Sequence, residues 1–148
     1  REYLDLGAQG TAQPRVLAAL KAVGLEPAIA KLDEGFDTRI SATGWPLSIT
    51  ETMQLKLAAA IIAEPKVLVL SELFDTLPDM ALRRSLDLLQ QAKTTVVYFS
   101  SRTHDLGFDR YLYLGYDDQV VFDSYNEFCA MLGTANFDSQ AGAPVPAS

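Results

Sequence analysis

The sequence predicts an α/β fold in which a helical first half leads into a strand–helix–strand unit and then a β-hairpin. Two apolar runs, Val67–Leu70 and residues 94–99, have the composition of strands buried in a parallel sheet. Between them, Asp79–Gln91 places leucines on one side of a helix. Strand, helix and strand in this order indicate a right-handed parallel βαβ unit.

Two helical patterns precede this unit. In residues 11–23 the apolar side chains recur at helical spacing, and Gly24 provides a stop signal. Residues 25–32 predict a second, shorter helix. Residues 33–46 are rich in glycine, serine, threonine and proline, so they predict a loop.

The longest helix is predicted to begin at Ser48 and to run to about residue 63. Ser48 and Glu51 have the spacing of a capping box, in which each side chain satisfies a backbone N–H of the other residue. Pro65 ends the helix. The unbroken apolar run that follows, Val67–Leu70, predicts a strand covered on both faces.

The last third of the chain predicts a hairpin and a helix. Residues 111–114 and 120–123 alternate as strands and are joined by a Gly-Tyr-Asp-Asp turn. Residues 124–132 predict the last helix. Residues 136–148 contain mainly alanine, glycine, proline and serine, so we expect a disordered tail.

Composition limits the function. The 148 residues carry a net charge of −7, which disfavours nucleic acid as a partner. Cys129 is the only cysteine, so an internal disulfide is excluded. No run reaches the roughly 18–20 apolar residues of a membrane span. The sequence begins at Arg1 without a methionine, and we expect it to be part of a longer polypeptide.

Three sequence motifs follow one another in a characteristic order. Residues 47–51 (LSITE) open a helix that leads without a gap into residues 67–72 (VLVLSE), and residues 95–102 (TVVYFSSR) follow. This order resembles the ATP-binding domain of exporter-type ABC transporters, in which an L-S-G-G-Q signature, a Walker B strand ending in Asp-Glu and an H-loop follow one another. Residues 1–4 (REYL) are similar to those just after the Q-loop. The resemblance covers roughly residues 1–132.

The resemblance implies a partial P-loop-NTPase-like domain. Residues 1–64 would form the helical subdomain that carries the signature. Residues 65–135 would form the carboxyl-terminal part of the α/β core, and residues 136–148 the tail.

The signature positions depart from the family pattern. In the family, ATP lies between two such domains, and the signature glycines let backbone N–H groups approach phosphate at a helix N-terminus. Here Ile49 and Thr50 replace those glycines, Glu51 replaces the glutamine, and Ser48 keeps its hydroxyl. The resemblance implies that Ser48, Thr50 and Glu51 are degenerate nucleotide-binding positions.

The remaining motif positions are also altered. Ser71 stands at the Walker B aspartate that holds magnesium, whereas Glu72 keeps the water-orienting glutamate. Ser101 stands at the H-loop histidine that contacts the γ-phosphate, and the only histidine, His104, comes three residues later. Pro78 occupies the D-loop aspartate position, and the sequence contains no G-x-x-x-x-G-K-[ST] motif.

The leading hypothesis is a degenerate half of an ABC-transporter ATP-binding domain. ATP and Mg²⁺ are implied by the resemblance, with neither binding tightly to this chain alone. The implied partners are a second ATP-binding domain and a transmembrane transport domain, at the cytoplasmic face of a membrane. A homodimer is an alternative assembly, because an exposed sheet edge can pair with a second copy.

Two other functions compete with this hypothesis. The first is a non-catalytic α/β interaction module that keeps an ABC-like scaffold and does not use nucleotide. The second is an unrelated small α/β enzyme that uses Glu72 and a nearby serine. The second is disfavoured because the sequence lacks a G-x-S-x-G motif.

Overall fold

The computed structural model describes residues 13–141, and the side chains of residues 14–133. Packing divides the chain into two compact units, one that ends at Arg102 and one that begins at Thr103. Helices on both sides of residue 64 pack together in the first unit, and the subdomain boundary expected there stays a prediction.

The first unit contains four helices and two strands in its described part. Two short 3₁₀ segments, Gly35–Asp37 and Glu72–Thr76, interrupt the loops. The helices are α1 (Gln13–Val23), α2 (Glu26–Ile29), α3 (Ile49–Ala63) and α4 (Asp79–Gln91), and the strands are β1 (Val67–Leu70) and β2 (Thr95–Tyr98).

Local sequence signals explain the boundaries of α1 and α3. Gly24 follows α1 with φ +73°, a backbone angle that glycine adopts without steric cost. Ser48 caps α3 through the predicted capping box. Glu64, in the left-handed region at φ 46°, ends α3 just before Pro65. Thr11, the expected cap of the first helix, lies outside the described residues.

Helix α1 packs against α3 and α4, and this contact forms the core of the first unit. Burying one leucine side chain stabilises a fold by about 1.5–3 kcal/mol. Gln54 on α3 is buried and donates from its side-chain nitrogen to the carbonyl oxygen of Val23 over 2.7 Å, which ties α3 to the end of α1. The largest buried side chains include Leu20, Leu25, Leu57, Leu70, Leu82 and Leu89.

Strands β1 and β2 pair in parallel, as predicted, with Val67 opposite Thr95 and Leu70 opposite Tyr98. The expectation that β1 is covered on both faces is wrong for the described part of the chain. Val67 and Val69 are 58% and 60% exposed, whereas Leu70 is buried. The apolar composition of β1 therefore reflects two faces, of which the described residues cover one.

The second unit consists of an antiparallel hairpin and a helix. Strands β3 (Tyr111–Leu114) and β4 (Gln119–Phe122) pair with Tyr111 opposite Phe122. Helix α5 (Tyr125–Ala141) packs against both strands. An aromatic cluster joins the helix to the hairpin, since Phe128 stacks on Tyr111 with ring centroids 5.7 Å apart and meets Phe122 edge-on at 6.0 Å.

Helix α5 is longer than predicted. The sequence placed the start of a disordered tail at residue 136, whereas the helix continues to Ala141. Residues 136–141 contain neither glycine nor proline, so no strong breaker stops the helix there. Residues 142–148 lie outside the described residues. None of the helices in the described range is long and apolar enough to cross a membrane.

Candidate functional site

Polar side chains gather where β1 and β2 end. The carboxyl ends of parallel strands lie at one edge of a sheet, which is where open α/β folds bind ligands. After β1 the chain supplies Asp75, from the second 3₁₀ segment. The end of β2 and the residues after it supply four more side chains. We call this group the strand-end cluster: Asp75, Tyr98, Ser100, Ser101 and Arg102.

The carboxylate of Asp75 lies at the centre of the strand-end cluster. Its Oδ1 accepts hydrogen bonds from the hydroxyls of Tyr98 and, over 2.7 Å, of Ser100. Its Oδ2 accepts from Ser101 twice, from the backbone N–H over 3.0 Å and from the hydroxyl over 3.2 Å. The Ser100 hydroxyl, the Ser101 N–H and the Ser101 hydroxyl thus converge with the Tyr98 hydroxyl on a single carboxylate.

Arg102 is the fifth member of the cluster and also contacts Asp75. Its side chain is only 10% exposed, and its Nε lies 3.3 Å from Oδ1 of Asp75. The guanidinium also pairs with Asp79 and donates to the carbonyl oxygens of Asp75, over 2.8 Å, and of Leu77. Arg102 therefore fastens the segment between β1 and α4 to the end of β2.

The cluster keeps Asp75 charged. Partial burial raises the pKa of Asp75, but the hydrogen bonds from Tyr98, Ser100 and Ser101 lower it by more, so the pKa lies below that of an ordinary aspartate. Burial and the hydrogen bond to Asp75 raise the pKa of Tyr98 to about 12. Tyr98 thus remains a neutral hydroxyl donor at neutral pH.

The predicted Walker B positions lie at the same edge of the sheet. Ser71 directly follows β1, and Glu72 begins the 3₁₀ segment; both side chains are exposed. Ser71 offers a hydroxyl where the resemblance expects a carboxylate, and a hydroxyl is a weaker ligand than a carboxylate for a hard cation. Within residues 14–133, no group of three or more His, Cys, Asp or Glu side chains could hold a metal ion. The residues present do not fit a magnesium site by themselves.

The predicted H-loop position, Ser101, lies in the strand-end cluster. Its backbone N–H and its hydroxyl both donate to Asp75, so these donors are engaged within the chain. The predicted signature positions lie elsewhere in the first unit, at the N-terminus of α3.

At that helix end the predicted capping box is present. The backbone N–H of Ser48 donates to Oε2 of Glu51 over 2.8 Å, and the backbone N–H of Glu51 donates to Oγ of Ser48 over 3.2 Å. The backbone and side-chain hydrogen bonds with Ser48 hold the pKa of Glu51 below its ordinary value. Ile49 is 71% exposed beside the cap, and Thr50 is half-buried.

Sequence reasoning missed four members of the strand-end cluster: Asp75, Tyr98, Ser100 and Arg102. Asp75 shares no motif with residues 98–102, from which it is separated by more than twenty positions. A usable signal existed, because polar residues that follow two adjacent parallel strands are expected to meet. Arg102 lies in the loop that follows β2, and Asp75 lies in the 3₁₀ segment that follows β1, so both fit that expectation.

Known proteins resemble this chain in sequence. An ATP-dependent lipid A-core flippase of Syntrophus aciditrophicus is 30% identical over 100 residues, which is 66% of this chain and 17% of the flippase. A probable multidrug resistance ABC transporter ATP-binding/permease protein of Bacillus subtilis is 29% identical over 118 residues, which is 78% of this chain and 18% of that protein. No family model matches the sequence.

A solved structure shares the fold. A bacterial Atm1-family ABC exporter with ATP bound superposes with a TM-score of 0.67 and 21% identity, covering 98% of this chain and 26% of the exporter chain. The chain thus spans less than a fifth of the length of these two curated relatives and about a quarter of the structural one. The sequence relatives and the fold together confirm the predicted resemblance: the chain is similar to the ATP-binding region of ABC exporters.

Proposed function

We propose that this chain is part of a degenerate ABC-type ATP-binding domain, which pairs with a second ATP-binding domain and couples nucleotide state to a transmembrane transport domain. The observation that carries the proposal is that Ser101 is hydrogen-bonded to Asp75 at the ends of the strands. Its N–H and hydroxyl donate to Asp75 rather than remaining available to an external phosphate. A position that contacts nucleotide in the family here serves an internal hydrogen-bond network.

The signature positions support the same proposal. The Ser48 hydroxyl and the Glu51 carboxylate are used in the capping box of α3. The exposed β-branched Ile49 stands where the family has a glycine, and a side chain there hinders close approach of a phosphate to the backbone. Glu51, Thr50 and Ser48 then contribute little to nucleotide affinity, and Ser71 contributes little to holding Mg²⁺.

One face of the β1–β2 sheet is exposed, which indicates that further protein packs against it. Parallel sheets occur almost only with both faces covered. Val67 and Val69 of β1 and Val97 of β2 lie on the same exposed face. We propose that other parts of the ATP-binding domain cover it, at the cytoplasmic face of a membrane. Covering by a second copy would instead give a homodimer, which sedimentation equilibrium of the chain distinguishes.

Nucleotide binding by the complete polypeptide tests the proposal. We expect Mg²⁺-ATP to bind weakly to the protein alone and more tightly when an ATP-binding partner domain is added. Tight binding to the protein alone, weakened by Ser71→Ala, would contradict the degenerate assignment. Asp87→Asn, an exposed change on α4, serves as the control.

The second candidate, a non-catalytic interaction module, is favoured by the internal satisfaction of the strand-end cluster. Asp75 accepts hydrogen bonds from Ser100 and Ser101, and Arg102 donates to two carbonyl oxygens of the segment after β1, so the loops at the strand ends are held without nucleotide. This candidate predicts that partner binding is unchanged by ATP. A partner affinity that rises at least tenfold with ATP would exclude it.

A further inference from the structure

The strand-end cluster has the donor set of an oxyanion site. Tyr98, Ser100, Ser101 and Arg102 supply hydroxyls, one backbone N–H and a guanidinium, all within five consecutive residues. Donors of these kinds, arranged around one point, bind carboxylate and phosphate groups through charge-assisted hydrogen bonds. The anion they hold, Asp75, comes from a different segment of the chain.

The cluster would keep its shape without that anion. Arg102 is fixed by the carbonyl oxygens of Asp75 and Leu77 and by the carboxylate of Asp79, none of which is the Asp75 side chain. Ser101 presents its N–H from the backbone, and the N–H of Arg102 donates to Oγ of Ser100 over 3.1 Å. Removing the Asp75 carboxylate therefore leaves most donors in place.

One donor is underused. The Nε of Arg102 is buried and has no aligned hydrogen bond with any atom of the described residues, although Oδ1 of Asp75 lies 3.3 Å away. A planar carboxylate cannot place a third acceptor at this nitrogen, whereas a tetrahedral oxyanion has a further oxygen. The Asp75 side chain is 19% exposed, so a larger anion at this position would extend into solvent.

We propose that the strand-end cluster is an oxyanion-binding cradle in which the Asp75 carboxylate occupies the place of an external phosphate group. This rests on the proposed function, because it names the residue that makes the strand ends independent of nucleotide. In the native chain Asp75 excludes a phosphate group by occupancy and by charge. Replacing Asp75 with a small neutral residue opens the cradle to inorganic phosphate.

Thermal unfolding of the whole 148-residue chain in sodium phosphate, compared with sodium chloride at equal ionic strength, tests the proposal. The native chain should show the same Tm in both salts. Asp75→Ala should show a Tm higher by about 3–6 °C when phosphate exceeds its Kd tenfold. Asp87→Ala removes the same charge from an exposed site on α4 and should behave like the native chain.

Two further variants locate the binding. Asp75→Ser should reproduce the gain and serves if Asp75→Ala does not fold. Adding Arg102→Gln to either variant should abolish the phosphate-dependent shift. Asp79 stays beside Arg102 in all of these variants, and its negative charge weakens phosphate binding. We therefore expect a Kd in the millimolar range, which ³¹P line broadening measures directly.

The outcomes separate this proposal from the proposed function. If neither Asp75 variant responds to phosphate while circular dichroism shows them folded, the cradle is refuted and the proposed function stands. If the native chain responds as strongly as the variants, or if Asp87→Ala gains the shift, the cradle is also refuted. If the complete protein binds Mg²⁺-ATP tightly by itself, the proposed function fails, whereas a phosphate gain confined to the Asp75 variants still supports the cradle.

Discussion

The guanidinium of Arg102 contacts Asp75 at two places, the side-chain carboxylate and the backbone carbonyl oxygen. The Nε of Arg102 lies 3.3 Å from Oδ1 of Asp75, and Nη2 donates over 2.8 Å to the carbonyl oxygen of the same residue. A single arginine after β2 thereby lies beside the carboxylate and fixes the path of the 3₁₀ segment that carries it. The loop at the end of β1 depends on the loop at the end of β2.

Arg102→Gln should destabilise the chain by about 2–3 kcal/mol, because Asp75 and two carbonyl oxygens lose a buried charged donor. The pair with Asp79 adds little, since that carboxylate is half exposed. Urea denaturation measures the loss. Arg84→Gln, which removes the same charge from an exposed position on α4, should stay within about 0.5 kcal/mol of the native chain. Equal losses in the two variants would contradict the anchoring role of Arg102.

Glu51→Gln should show a pH-dependent loss of stability. The hydrogen bonds from Ser48 depress the folded-state pKa of Glu51, so its stabilisation is present above the unfolded-state pKa of about 4.3 and is lost as pH falls through the lower folded value. We expect Glu51→Gln to be less stable than the native chain by about 0.5–1 kcal/mol at pH 7. This difference should shrink below about pH 4.

Urea denaturation at a series of pH values checks this expectation. Glu34→Gln removes an equal charge from an exposed loop residue and should leave the pH dependence of the native chain unchanged. A Glu51→Gln difference that is constant from pH 7 to pH 3 would show that the charge of Glu51 does not strengthen the cap.

Gly44→Ala should destabilise the chain more than Gly35→Ala. Both glycines have positive φ, +95° and +53°, so both substitutions strain the backbone by about 1 kcal/mol or more. At Gly44 the added Cβ would also lie 2.4 Å from Oγ1 of Thr52, whereas at Gly35 it meets nothing within 4 Å. We expect a total loss of about 2–4 kcal/mol at Gly44.

Thermal and urea unfolding of both variants give the comparison. A second substitution, Thr52→Ala, should recover part of the loss in Gly44→Ala and none in Gly35→Ala. Similar losses at the two glycines would mean that the loop before α3 shifts to accommodate the methyl group.

Local sequence signals predicted the elements that carry their own boundaries. Helix α3 starts where the Ser48–Glu51 capping box predicted and ends just before Pro65, and β1 coincides with the apolar run Val67–Leu70. Parallel pairing of β1 and β2 followed from the intervening helix α4. Each of these predictions needed only neighbouring residues and one rule of chain connection.

What the sequence did not predict depends on distant contacts. The meeting of Asp75 with Tyr98 and Arg102 joins two loops across the sheet, and hydrophobic periodicity contains no information about such polar contacts. The exposure of Val67 and Val69 was also missed, because an apolar run has the same composition whether its second face is covered by described residues or by other protein. The family roles of Ser71 and Glu72 stay predictions.

The proposed function predicts that the ABC-like site in this chain does not hydrolyse ATP. Steady-state ATP turnover by the complete polypeptide with Mg²⁺, compared with its Glu72→Gln variant in the presence of an ATP-binding partner domain, tests it most directly. We expect equal turnover, because Ser71 offers a hydroxyl where the resemblance expects the magnesium-holding carboxylate beside Glu72. A rate that falls a hundredfold or more on Glu72→Gln would contradict it.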